Sequence, residues 1–329
     1  VTYITFIKHK FILFFIFIVL GSIFSDSLML SLKSSATYIR FGIFSIAVLY
    51  IFRNNKNMIK FFYLILLITL IILLFDGYFQ FFTGKNIFGY SSIRSDRLGG
   101  LFFDELILGS FISKILPILI TFAFLNKGII HKNYIILFVI LSYVLVFLSG
   151  ERSAFLLSTL YLVLILPFMA NLKKLIILAI LTIIFFSGLV LSNKTLKSRY
   201  LDQMLSHTFQ QTSTSSTFMP DHIGLFTSAI DIFQKNILFG GGVKTFRVNC
   251  KDTVNEKLMK LKVDIPNLVF CNTHPHNYYL QLLAETGLVG FLFVFAIFIK
   301  LLFYYFKQIS FLINKKNVIN KSYVCILVG

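Results

Sequence analysis

The chain has 329 residues, of which 57% are hydrophobic and only 13% charged, with a formal net charge of +18. An ordinary soluble domain carries roughly 25% charged residues, so this composition excludes a soluble globular fold and requires an all-α polytopic membrane protein. The positive charge does not mark a nucleic-acid binder, because the lysines stand in short clusters between apolar runs, not on one basic face or tail.

Eight helices are predicted in chain order, at 11–24, 36–52, 59–75, 105–125, 133–148, 152–170, 174–192 and 288–306. No cleavable signal pattern accompanies the first apolar run, which is expected to stay as a helix. The last run, Tyr323–Val328, is too short to span and reads as the start of a ninth helix, so a C-terminal helix is expected to be missing. The chain thus divides into a transmembrane bundle of about seven helices at 1–192, a periplasmic loop with short helices at 193–277, and a motif helix, a spanning helix and a truncated one at 278–329.

The loops alternate in charge. Lys8 and Lys10 precede the first helix, and Arg53, Lys56 and Lys60 follow the second. Lys127 and Lys132 follow the fourth, Lys173 and Lys174 the sixth, and Lys307, Lys315, Lys316 and Lys321 the eighth. The positive-inside rule then places the N-terminus inside, and it puts 76–104, Gly150-Glu151-Arg152 and 193–287 outside. Five of the seven arginines (Arg94, Arg97, Arg152, Arg199 and Arg247) fall outside, against the usual bias. A planar guanidinium suits phosphate, so an anionic substrate is expected there, with lipid headgroups as the bland alternative.

The long outer segment also holds four of the six histidines: His207, His222, His274 and His276. Within it, 208–218 is rich in Thr, Ser and Gln and is expected to be mobile, and 222–235 has helical spacing. Gly240-Gly241-Gly242 then breaks the chain, as a tight turn or as a phosphate cradle. Cys250 and Cys271 lie in the same outer segment, where an oxidising compartment would allow them to pair; two free thiols are the alternative.

At 271–290, Pro275 disfavours helix before it, and Asn277 is a good N-cap for a helix starting at Tyr278. His276, Leu280, Leu283, Gly287 and Gly290 recur at spacings of three and four, and the glycines are expected to admit a second helix. His276 stands at the positive end of a helix, which favours an anion nearby and a neutral imidazole. It reads as a general base, as a metal ligand together with His274, His222 and a cysteine, or as a capping residue; the spacing matches no compact metal motif. Glu285, further into the helix, reads as structural.

His276-Asn277, followed after nine residues by Gly287-Leu288-Val289-Gly290, resembles the signature of bacterial O-antigen ligases and the related O-antigen polymerases. Other segments agree in order. Arg97-Leu98-Gly99-Gly100-Leu101-Phe102 resembles the family's early outer loop, and Ser149-Gly150-Glu151-Arg152-Ser153-Ala154 resembles its serine–arginine motif at a helix start. Phe239-Gly240-Gly241-Gly242 resembles its glycine-rich segment, before which His222 stands where members often carry an arginine. The resemblance covers roughly residues 90 to 306, and Phe291 departs from the small residue or tyrosine that the ligases favour after the last glycine.

The resemblance implies a GT-C-like bundle of about eight to nine or more transmembrane helices in the bacterial inner membrane, with one long periplasmic loop. It implies a glycosyltransferase moving a glycan from a polyprenyl-diphosphate carrier to lipid A–core or to a growing polysaccharide, with neither metal nor nucleotide cofactor. In that chemistry His276 is the candidate base and Arg152 the first candidate for the leaving diphosphate. Arg97, Arg247, His222, Asn277 and His274 are candidates for binding diphosphate or glycan. A lipid-linked sugar transporter is the rival, but it calls for internal repeats and charges within the membrane, and neither is evident. A membrane-anchored interaction protein would not need arginines and histidines gathered from separate outer loops.

Overall fold

The computed structural model describes residues 2–125, 132–168, 172–202, 220–252 and 271–313. Among them the architecture is all-α, with no strand and one isolated bridge between Lys85 and Ser91. Phe and Ile are indifferent helix formers in water, but in lipid every backbone N–H and C=O must be satisfied within the segment, and that requirement decides for helix. The Ser/Thr-rich stretch at 208–218 and the run Tyr323–Val328 lie outside the described residues.

The chain forms two compact units, each built from discontinuous stretches. One comprises Val1–Asn54 and Ser213–Lys300, the other Asn55–Thr212 and Leu301–Gly329. In the first, α1 (Thr2–Ile23) packs on a pair, α2 (Leu28–Thr37) and α3 (Ile39–Asn54). The predicted helix 36–52 thus begins earlier and is interrupted at Tyr38. A ladder of buried hydroxyls holds α1 to α2: Ser31 donates to Ser22 at 2.8 Å, and Ser22 shares a 2.7 Å bond with Ser35. Helix α10 (Pro220–Lys235) buries Leu225, Ala229 and Ile232 against Phe246, Cys250 and Ala284.

In the second unit, α4 (Lys56–Thr83) begins at the cap Asn55, whose side chain accepts the Asn57 N–H. It ends at Gly84, which takes the left-handed conformation of a C-cap (φ 80°). Three buried side chains, Asp76, Gln80 and Asn86, then fix the following loop. Asp76 Oδ1 accepts the Ile87 N–H, Gln80 Oε1 accepts the Gly100 N–H, and Asn86 Nδ2 donates to the Gly100 carbonyl. The helices α5 (Leu108–Leu125) and α6 (Lys132–Leu148) pack on α4 and on each other, and α7 (Arg152–Ile165) packs on both of them. Their core is Leu70, Leu108, Ile112, Leu119, Leu145 and Val146. α8 (Leu172–Ser192) turns by 108° at Asn193 into the short α9 (Lys194–Lys197), and Tyr200 beyond it stacks on Phe147 at 4.5 Å.

Among the described residues three helices are long and apolar enough to cross a membrane: Leu28–Asn54, Asn57–Thr83 and Tyr278–Ser310. A fourth is added if the bent pair Ala179–Ser192 and Lys194–Asp202 is one broken span. Shorter apolar helices at Phe11–Ile23, Leu108–Ala123, Tyr134–Leu148 and Arg152–Phe168 coincide with the remaining predicted runs.

Candidate functional site

The first unit carries the histidine motif on a broken helix. α11 (Tyr278–Ile313) is interrupted at Gly287, whose backbone (φ 63°, ψ −167°) is not helical. The break orphans carbonyls before it and N–H groups after it, and the glycine-rich segment satisfies both. Gly241 and Gly242 donate to the carbonyls of Ala284 (2.7 Å) and Glu285 (3.0 Å), while Leu288 and Val289 donate to those of Ile237 (2.8 Å) and Leu238 (3.3 Å). A Cβ on Gly287 would stand 2.4 Å from the Leu238 carbonyl oxygen, and one on Gly240 would stand 2.6 Å from the Gly287 nitrogen. The glycines are therefore required at this crossing by both conformation and space.

This corrects the expectation of a continuous helical face admitting a second helix. Gly287 admits a loop, and only Gly290 faces another helix, through Phe17 of α1. Glu285 is buried, and its carboxylate accepts the N–H groups of Lys244 and Phe246. It fixes the start of the helical turn at 246–252 and so has a structural task. Ser25 and Ser31 hold the far side of the glycine segment, Ser25 donating to the Gly241 carbonyl and Ser31 accepting the Val243 N–H at 3.0 Å.

Cys250 and Cys271 are joined in a disulfide across a sequence separation of 21, which ties the 246–252 turn to the segment entering α11. The cysteines are therefore not thiolates, and the metal reading of the histidines loses its sulfur ligand. No group of three His, Cys, Asp or Glu suited to a metal occurs among the described residues.

Asn277 caps α11 as its sequence position suggests, its Oδ1 accepting the N–H groups of Tyr279 (3.0 Å) and Leu280 (3.2 Å). His276, just before the cap, is exposed and holds a positive φ of 53°. For a non-glycine residue this conformation costs about 1–3 kcal/mol and is typical of functional sites. Its ring lies 4.3 Å from that of His274, whose Nδ1 is 2.9 Å from the Thr273 hydroxyl.

Asn272 meets the imidazole of His276, with Nδ2 3.0 Å from Nε2. The Asn272 carbonyl accepts the Thr273 N–H at 2.7 Å, so the amide nitrogen must face the ring. An amide nitrogen only donates, so Nε2 holds a lone pair in this arrangement.

The second unit carries a cluster of arginines. Arg94 binds Asp96 through two parallel bonds of 2.9 and 3.0 Å. Arg199 reaches Asp96 at 3.3 Å and donates through Nε to the Gly150 carbonyl at 2.9 Å. Arg97 lies 3.7 Å from Glu151 and donates to the Leu106 carbonyl. Arg152, the first residue of α7, feels the charges of Arg199, Asp96 and Arg94. Glu151 is buried and largely committed elsewhere: it caps α5, accepting the N–H groups of Gly109 (2.7 Å) and Ser110 and the Ser110 hydroxyl. Gly150 permits this crowding, since at φ 73° a Cβ there would stand 2.5 Å from the Asp96 carbonyl oxygen.

Four guanidiniums against two carboxylates leave a surplus of two positive charges. Burial, chiefly, pulls the Arg97 pKa below its ordinary value, Arg199 and Arg94 pull the same way, and Glu151 and Asp96 oppose them. Arg97 stays cationic at any physiological pH. An anion bound beside the Arg97 guanidinium would act in the same sense as Glu151 and Asp96, against the effect of burial. Among the described residues its Nε has no hydrogen-bond partner.

The structure thus gathers Arg97 and Arg152 into one neighbourhood and places His274 beside His276. Arg247 is exposed on the 246–252 turn of the other unit. His222 lies in α10, and its side chain lies outside the described residues. Sequence reasoning passed over Arg199 and Arg94 as members of the site, although both share the outward placement predicted for the other arginines. It missed Asn272 entirely, because an asparagine in a loop carries no signal until its partner is known.

The sequence pattern of a family described as O-antigen ligase matches residues 136–295. No curated protein matches the chain significantly. The matched region includes Arg152, Arg199, the glycine segment, Asn272 and the histidine motif.

Proposed function

We propose, from the match of residues 136–295 to the family described as O-antigen ligase, that the chain is a ligase-type glycosyltransferase of that family. It moves a glycan from a polyprenyl-diphosphate carrier to an acceptor hydroxyl, on lipid A–core or a similar acceptor, at the periplasmic face of the inner membrane. The observation that carries this reading is the arginine cluster, whose surplus charge suits a diphosphate leaving group.

The reaction breaks the bond between the anomeric carbon and the diphosphate oxygen and forms one to the acceptor oxygen. The electron pair leaves with the lipid diphosphate, where fixed guanidiniums stabilise the growing charge without reorganising. Arg152 and Arg97 have that task, with Arg199 and Arg94 holding the carboxylates around them. The acceptor proton passes to Nε2 of His276, whose lone pair the Asn272 amide keeps oriented until the hydroxyl replaces it. His274 and Asn277 support the histidine turn, and Arg247 and His222 are available for glycan or phosphate. Removing a single donor of this electrostatic kind costs about 10²–10³ in rate.

The polymerase reading of the same family shares this layout. Deleting the gene and resolving the surface glycan by gel separates them. The ligase reading predicts no polymer on lipid A–core and polymer retained on the lipid carrier, whereas single repeat units on lipid A–core indicate a polymerase. An unchanged pattern contradicts both.

A further inference from the structure

The stripe Ile68, Ile72, Phe75, Phe79 and Phe82 runs down one face of α4 and is exposed along its whole length, as the lipid-facing side of a spanning helix should be. The span Asn57–Thr83 holds 27 residues. It rises by about 40 Å, more than the roughly 30 Å of a hydrocarbon core even at the usual tilt of about 20°. Lys60, exposed near its start, marks one interface. Counting about 30 Å from Lys60 puts the exit from the hydrocarbon near Gln80.

Past Gly84 the chain does not continue outward but doubles back along α4. The Ile87 N–H reaches Asp76 Oδ1 at 2.9 Å, about 6 Å below the level of Gln80, and so level with Phe75 and Phe79 of the stripe. Non-helical backbone at that depth must find its hydrogen bonds inside the protein, and this turn does. Lys85 donates to the Thr83 hydroxyl, Phe88 and Tyr90 to the Asn86 side chain, Gly89 to the Asn86 carbonyl, and Asn86 to the Tyr90 carbonyl. Every N–H from Lys85 to Tyr90 thus has a protein partner, and the two side chains that serve most of them, Asp76 and Asn86, are buried. In water, solvent would meet that need. The apolar side chains turn the other way: Phe88 is 64% exposed and Tyr90 58%. Phe103, also exposed, meets Tyr90 edge-on at 4.8 Å and stacks on Phe88 at 6.3 Å, which makes the three rings one apolar face.

We propose that residues 85–90, with Phe103, form an aromatic finger that inserts into the bilayer at the acyl–headgroup boundary of the leaflet where α4 ends. The bilayer is the occupant because the turn lies below the exit of α4, where a soluble partner would first have to displace lipid. Aromatic rings favour that boundary. Lys85, exposed at the base of the finger, has a stem long enough to carry its ammonium up to headgroup phosphates. The finger sets the depth of the loop that runs on through Arg94 and Arg97. Its insertion does not depend on the transfer reaction.

The chain contains no tryptophan, so a single one reports its own surroundings. Phe88→Trp and Tyr90→Trp, both at exposed positions, are compared with Ile68→Trp, a reference about 12 Å below Asp76 on α4. Each full chain is reconstituted into phosphatidylcholine nanodiscs. Fluorescence quenching is measured with phosphatidylcholine brominated near the headgroup end or near the methyl end of its acyl chains, and with acrylamide from the water. Phe88→Trp and Tyr90→Trp are expected to be quenched more by the shallow bromines than by the deep ones, and Ile68→Trp in the reverse order. All three are expected to be several-fold less open to acrylamide than N-acetyltryptophanamide. Finger positions that neither bromolipid quenches, and that acrylamide reaches as freely as the free compound, overturn the insertion and leave the rings to a soluble partner. Shielding from bromolipid and acrylamide alike shows rings covered by protein and overturns it too.

Discussion

Arg152 opens α7 directly after Glu151, whose carboxylate is spent on the start of α5. Replacing Arg152 with alanine should lower glycan transfer by at least about a hundredfold while the protein still inserts. Arg152→Lys should recover only part of it, because an ammonium lacks the planar fork. Asn272 gives the histidine a sharper test. Asn272→Asp replaces a donor by an acceptor of the same shape, which stabilises the imidazolium and raises the His276 pKa. A base with a raised pKa stays protonated further up the scale, so the limb on which activity rises with pH should move to higher pH. A pH–rate profile identical to wild type would remove Asn272 from the reaction. The arginines were legible as a class from their predicted placement in outer loops, but their mutual arrangement depends on loops held by buried groups such as Asp76, Gln80 and Asn86.

At the scale of elements, the broken helix organises the first unit. Its two motifs read as separate signals in the sequence, a glycine triplet and a Gly-x-x-Gly, because helical periodicity carries no trace of backbone pairing with a distant loop. The sequence therefore suggested helix–helix contact where the chain makes a loop-filled break. Gly287→Ala meets both a left-handed φ and a backbone oxygen at 2.4 Å. It should destabilise the protein by about 2 kcal/mol or more, seen as a lower midpoint in thermal unfolding with no change in the second unit's sequence. The disulfide has a separate and predictable weight. For a sequence separation of 21, opening it should cost about 3 kcal/mol by loop entropy. Thermal unfolding of Cys250→Ser/Cys271→Ser against wild type, each with and without reductant, measures it, and only wild type should respond to reductant.

At the scale of the whole chain, composition and hydropathy sufficed for the helical membrane class, and each of the eight helices predicted in full has a helical counterpart among the described residues. Boundaries were less legible where a helix outruns its apolar stretch. α4 continues to Thr83, where the Gly84 cap and not a change in hydropathy sets the end, whereas the start of α11 at Tyr278 was legible from its cap, Asn277. The charge alternation of the loops predicts that Ser95 faces the periplasm and Asn54 the cytoplasm. In a Cys325→Ser background, a membrane-impermeant maleimide should label Ser95→Cys and spare Asn54→Cys in cells with permeabilised outer membranes; the reverse pattern would invert the topology. The central claim is that arginine-held diphosphate and a histidine base drive glycan transfer. Its most direct test is a reconstituted assay with a polyprenyl-diphosphate-linked glycan and lipid A–core, comparing wild type, Arg152→Ala and His276→Ala at equal protein. The account predicts glycan on lipid A–core and released polyprenyl diphosphate with wild type only. Transfer at the wild-type rate by either variant would contradict it.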